Sequence, residues 1–185
     1  ARFDLIIYRF DPAAGILLKQ FGQSCCVRHI RLPRKKTNAY NSAMKTITAR
    51  PIDTDSFAPY GQLLDVPAKK GRYDFQAELF NGRGGAAPNI LLARVGAVAL
   101  PLDMKVMERH PHSSQAFFPL DAARYIVMVC PDAADGGPDM ERLEAFLIPG
   151  DKGINYNTAT WHHPLTVLDS DAQFAALVWE DGSEA

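Results

Sequence analysis

Apolar positions fall in short runs along this chain, and Pro, Gly, Asp and Asn separate them. The run Arg124–Cys130 is almost continuously apolar and reads as a strand. Asn89–Leu100, Lys105–His110, Gln115–Phe118, Trp161–Leu168 and Phe174–Glu180 have strand-like composition, and Ile47–Ile52 reads as a short edge strand. Asp53–Tyr60 predicts a short helix with an Asp or Thr cap, closed by Gly61. Met140–Phe146 is compatible with a second helix. Asn81-Gly82-Arg83-Gly84-Gly85 predicts a turn or mobile loop, and Lys69–Gly85 as a whole predicts a mobile cover. Many short strands between turns predict a mainly β fold, a sandwich or barrel with a few short helices. A small barrel of this kind can enclose one small ligand.

Charge changes this picture at one place. Residues 1–43 carry a net +6 and residues 44–185 a net −7, so the balanced total of −1 hides a split. The orderly pattern begins at Met44. We therefore expect residues 1–43 to be an upstream extension outside the catalytic domain, and 44–185 to be one domain. As a secretory signal the first segment is imperfect, because Asp4 and Asp11 interrupt it and its apolar runs are short. The near-neutral total gives no footprint for nucleic acid. No apolar run is long enough for a membrane-spanning helix. Three cysteines, two of them adjacent, make a poor disulfide framework and point to a reducing, cytoplasmic setting.

Candidate chemistry gathers in two segments. The first is Met107-Glu108-Arg109-His110-Pro111-His112-Ser113-Ser114-Gln115. Strand alternation places Glu108 and His110 on one face, with Met107 and Arg109 on the other. The second is Asn155-Tyr156-Asn157-Thr158-Ala159-Thr160-Trp161-His162-His163-Pro164-Leu165. If it is extended, His162 and His163 face opposite ways. These residues fit an ion pair at a barrel rim, an acid/base site or a metal site.

A His-x-His, a nearby carboxamide, a Pro-Gly and a later His resemble the cupin pattern. Metal cupins add a carboxylate ligand, but no acidic residue occurs from Ser113 to Leu120, and Gln115 is a poor substitute. A tight four-ligand metal is therefore not expected. If a metal binds, it is a weakly held divalent ion such as nickel, with His110, His112 and His162 as its ligands.

Together the segments resemble the ureidoglycolate lyase family. The resemblance runs over 44–185, through Ser56-Phe57-Ala58-Pro59-Tyr60-Gly61, Arg72-Tyr73, Met107-Glu108-Arg109-His110-Pro111, Ser114-Gln115-Ala116-Phe117 and Trp161-His162-His163-Pro164-Leu165. Two positions depart from the family: Asn157, where it often has His, and Ala159, where it usually has Gly. The resemblance implies a cupin-like β-barrel, a homodimer, that converts (S)-ureidoglycolate to glyoxylate and urea in allantoin degradation. It implies His110 and His162 as acid/base groups, with Glu108 orienting them or acting as base. Ser114 and Gln115 would bind the ureido group, Arg72 the carboxylate, and His163 and Tyr156 would line the substrate. The competing readings are a non-catalytic small-molecule-binding cupin, another metal-dependent cupin enzyme, and a hydrolase that releases ammonia.

Overall fold

The computed structural model describes residues 6–10, 17–21, 27–31 and 45–181. The mainly β reading holds: two mainly antiparallel sheets face each other across a shared core. One sheet has five strands, in the order Gly61–Leu64, Gly153–Tyr156, Gln115–Pro119, Ala172–Glu180 and Ala87–Val95. The other has eight strands, in the order Val27–Arg31, Leu17–Phe21, Val106–Arg109, Trp161–His162, Arg124–Cys130, Glu144–Pro149 and Arg50–Pro51, with Thr166–Val167 also paired to Arg124–Cys130.

Arg124–Cys130 explains its own apolar run. Tyr125, Val127 and Val129 pack inward with Phe57, Phe146, Ile148, Tyr156 and Phe174. Ile126, Met128 and Cys130 pack on the opposite face with Met104, Met107, Ala145, Trp161 and Leu168. Alternation therefore buries every second residue in a different core. Each such side chain contributes roughly 1.5–3 kcal/mol of transfer free energy.

The helix forms at Thr54–Phe57, capped where the sequence predicts: the Asp53 carboxylate accepts from the Ser56 N–H at 2.9 Å. It seats Phe57 edge-on against Phe146, with ring centroids 5.6 Å apart. Gly61 then brings its strand so close to its neighbour that a Cβ would lie 2.0 Å from the Asn155 carbonyl oxygen. Met140–Phe146, though helix-compatible in sequence, forms no α-helix. A 3-10 turn at Met140–Arg142 leads into the strand Glu144–Pro149. Six register pairs with Arg124–Cys130 bury Ala145, Phe146 and Ile148, and this pairing overrides local preference.

In the first segment, Leu17–Phe21 pairs in parallel with Val106–Arg109, and Val27–Arg31 pairs with Leu17–Phe21. Ile6–Phe10 lies between Lys45–Thr48 and Leu102–Asp103.

Candidate active site

The site is built where Val106–Arg109 and Trp161–His162 cross. The register pairs Glu108 directly with His162. Met107 is fully buried on the opposite face, and this fixes which way Glu108 points. Glu108, His110 and His162 each offer one ligand or proton-transfer atom, and these atoms lie within 4.8 Å of one another.

His162 is the buried centre of the group, only 2 % exposed. Its Nδ1 lies 2.9 Å from the Thr160 carbonyl oxygen. A carbonyl only accepts, so Nδ1 carries the hydrogen and Nε2 is the working atom. Nε2 makes no hydrogen bond and sits 3.5 Å from Glu108 Oε1. Two rings stack against it: Tyr156 at 4.2 Å and His110 at 5.5 Å between centroids.

Burial, reinforced by the neighbouring His162, pushes His110 down to about 3, although Glu108 pulls the other way. His110 is therefore a neutral imidazole near pH 7. The Gln115 side chain acts on His110, and its Oε1 is buried with no hydrogen-bond partner. The Tyr156 hydroxyl is also buried without a partner, and burial raises its pKa far above the usual tyrosine value. Unmatched buried polar atoms around an acid/base cluster are suited to a polar ligand.

A second polar assembly adjoins this one. Residues 80–82 run alongside 112–114: Gly82 N–H donates to the His112 carbonyl at 2.8 Å, and Ser114 N–H to the Phe80 carbonyl at 3.0 Å. The Ser114 hydroxyl accepts from Phe80 N–H at 2.9 Å, so it braces the backbone. The Asn81 carboxamide ties the turn by donating to the Arg83 and Ala86 carbonyls and accepting from Arg83 N–H. Arg83 follows, its side chain 12 % exposed, donating to the Trp179 carbonyl and 3.6 Å from Asp181.

The structure brings together Glu108, His110, His162, Gln115 and Tyr156. Other candidates lie elsewhere. Arg72 has a side chain 85 % exposed and pairs with Asp74 at 3.2 Å. His112 lies outside the three-residue cluster. His163 Nδ1 lies 2.7 Å from the Pro164 carbonyl oxygen and 3.3 Å from the Thr166 hydroxyl. Burial lowers the His163 pKa. Arg109 faces away, bonded to Asp132 at 2.9 Å with its guanidinium over the Trp161 ring. Asn157, at the departing position, joins an amide chain: Gln62 Nε2 donates to its Oδ1, and Asn155 Nδ2 donates to Gln62 Oε1. Ala159, the other departure, has φ = 64°, the left-handed region that favours glycine, and its N–H donates to the His110 carbonyl.

The donor set differs from the sequence expectation. The missing carboxylate is supplied from before the histidines, by Glu108, rather than after them. Two imidazoles and one carboxylate suit a divalent transition metal, and a neutral His110 is in the form a metal needs. Arg83 had no place in the sequence reading of the site. The one available signal was its position after Asn81-Gly82, a turn signature that can aim the next side chain.

A family model described as ureidoglycolate lyase matches residues 44–185. A ureidoglycolate lyase of Brucella melitensis biotype 2 is 35 % identical over 143 residues, covering 72 % of this chain and 83 % of its own. One of Chelativorans sp. is 35 % identical over 150 residues, covering 76 % and 88 %. The solved RmlC of Streptococcus suis, in complex with dTDP-D-xylose, covers 79 % of this chain and 61 % of its own at 12 % identity and a TM-score of 0.35.

Proposed function

This chain belongs to the ureidoglycolate lyase family, and we propose that it cleaves the carbon–nitrogen bond of (S)-ureidoglycolate to give glyoxylate and urea. It is an enzyme, a lyase; the bond it breaks is our reading. The observation that carries this reading is the convergence of Glu108, His110 and His162 beneath Tyr156 and Gln115.

Ureidoglycolate is a hemiaminal, so its cleavage needs one proton moved from oxygen to nitrogen. His162 Nε2 takes the hydroxyl proton, and the O–H electron pair becomes the aldehyde C=O. The C–N bond breaks, its electrons pass to the ureido nitrogen, and Nε2 returns the same proton there. Atoms and charge balance, and the enzyme ends as it began. Glu108, 3.5 Å away, stabilises the transient imidazolium. Neutral His110 and the Gln115 carboxamide hold the hydroxyl and the ureido group. The Tyr156 hydroxyl, kept protonated, serves as a donor. Proton transfer of this kind contributes roughly 10²–10⁴-fold.

Glu108, His110 and His162 would also be the residues to hold a weakly bound divalent ion such as nickel. Such an ion would supply polarisation of a substrate oxygen. We further read residues 44–185 as the catalytic domain, residues 1–43 as an upstream extension, and the enzyme as a cytoplasmic homodimer in purine catabolism. Among the described residues no helix is long and apolar enough to cross a membrane.

The test is release of urea and ammonia from racemic ureidoglycolate, with and without chelator, against spontaneous decay. Urea equimolar with glyoxylate, from half the racemate, is expected. Glu108→Gln should lower kcat on the order of a hundredfold. Ammonia without urea would mean a hydrolase, and no acceleration would mean a binding protein. Loss of activity with chelator, restored by nickel, would assign the ion to the cluster.

A further inference from the structure

The substrate proposed above carries a carboxylate throughout the reaction, and a buried site must match that charge. The arginine expected from the sequence, Arg72, lies on the surface with its side chain 85 % exposed. Arg109 lies on the wrong face of its strand, held by Asp132 and Trp161. We propose that Arg83 binds the carboxylate of the substrate, and of the glyoxylate product. This assignment rests on the lyase reading and names the anion subsite within it.

Three observations carry it. The first is placement. Gly82 bonds directly to the His112 carbonyl and Asn81 bridges Ser113, so Arg83 follows directly on a segment that lies against the stretch between His110 and Gln115. The second is fixation. Asn81 bonds on both sides of Arg83, while the Trp179 carbonyl and Asp181 hold the guanidinium at the end of the strand Ala172–Glu180. An immobilised fork loses less conformational entropy when it meets a carboxylate than a free surface arginine does. The third is adjacency. The strand that ends beside this clasp, Ala172–Glu180, pairs with Gln115–Pro119, the strand that carries Gln115 of the cluster.

Arginine is suited to the task because its planar fork can bind a carboxylate through two parallel N–H···O bonds. That would orient the substrate's reacting carbon relative to His162 Nε2. It would also explain why a site with one acidic member can receive an anion.

The test uses the full chain, with Arg83→Gln and Arg83→Lys. Arg83→Gln should raise KM for ureidoglycolate, and the inhibition constant of glyoxylate, by at least about tenfold, with a smaller fall in kcat. Arg83→Lys keeps a point charge but loses the fork, so it should fall between. Glyoxylate binding to wild type and variants by calorimetry should weaken in the same order. Unchanged glyoxylate affinity in a folded Arg83→Gln would overturn the proposal. So would loss of kcat and melting temperature together with intact glyoxylate binding, since that describes a purely structural clasp. If Arg83→Gln does not fold, Arg83→Lys gives the same readout. A wild type that releases no urea would sink the lyase reading instead, while the calorimetric comparison would still judge Arg83 as an anion site.

Discussion

Residues 66–75 and 80–86 are two polar loops a few residues apart, each carrying glycine and arginine. In sequence they look alike, and together they read as one mobile cover. In the structure they differ. The first is largely exposed, with Val66, Arg72 and Tyr73 in solvent and an ion pair, Arg72–Asp74, between neighbours in the loop. The second is stitched to 112–114 by backbone bonds, a serine hydroxyl and the Asn81 carboxamide. The lesson is that backbone pairing, more than composition, decides whether a loop arginine belongs to a site. An exposed ion pair contributes little to stability, whereas a turn closed by several part-buried hydrogen bonds holds its side chain in one place.

This contrast can be broken at three levels. The largest expected effect is in limited trypsin digestion of the folded protein. Cuts after Lys69, Lys70 and Arg72 should outpace cuts after Arg83 on the order of a hundredfold, because cleavage needs local opening. Mass mapping that finds equal rates would erase the distinction. Next, Asn81→Ala removes the carboxamide that ties the turn, and should cost about 2 kcal/mol in urea denaturation. It should also raise KM in the direction of Arg83→Gln, and an unaltered KM would show that the turn does not position Arg83. Smallest is Arg72→Gln, for which KM and kcat should stay within about twofold, as befits an exposed pair. A large rise in KM would return the carboxylate to the outer loop.

Much of the architecture could be read from the sequence because it depends on local periodicity. The apolar run Arg124–Cys130 marked a strand, and Glu108 and His110 shared a face because they are two residues apart. Asp53 could be identified as a cap from its type and place. What depends on distant pairing was hidden. Met140–Phe146 has helix-compatible residues, but its pairing with Arg124–Cys130 draws its second half into a strand. The carboxylate of the cluster was sought after the histidines, because nothing local says that Glu108 faces a residue more than fifty positions away. Arg83 was hidden for the same reason: its neighbours come from 112–114 and 179–181. Ala159 shows a subtler limit. The glycine that the resemblance leads one to expect at that position would suit a left-handed backbone, and the chain adopts that conformation with an alanine, at some strain.

The single register pair Glu108–His162 also bears on how such a chain can diverge. Sliding either strand by one residue would set Met107 or Arg109 against His162, or His163 against Glu108, and would turn the working groups to opposite sides of the sheet. Substitutions around the pair change one contact at a time, but one inserted or deleted residue in either strand rewrites the whole pairing. Length changes between these two strands should therefore accumulate in distant loops such as 132–139, where the chain can absorb them without disturbing the alignment of acid and base.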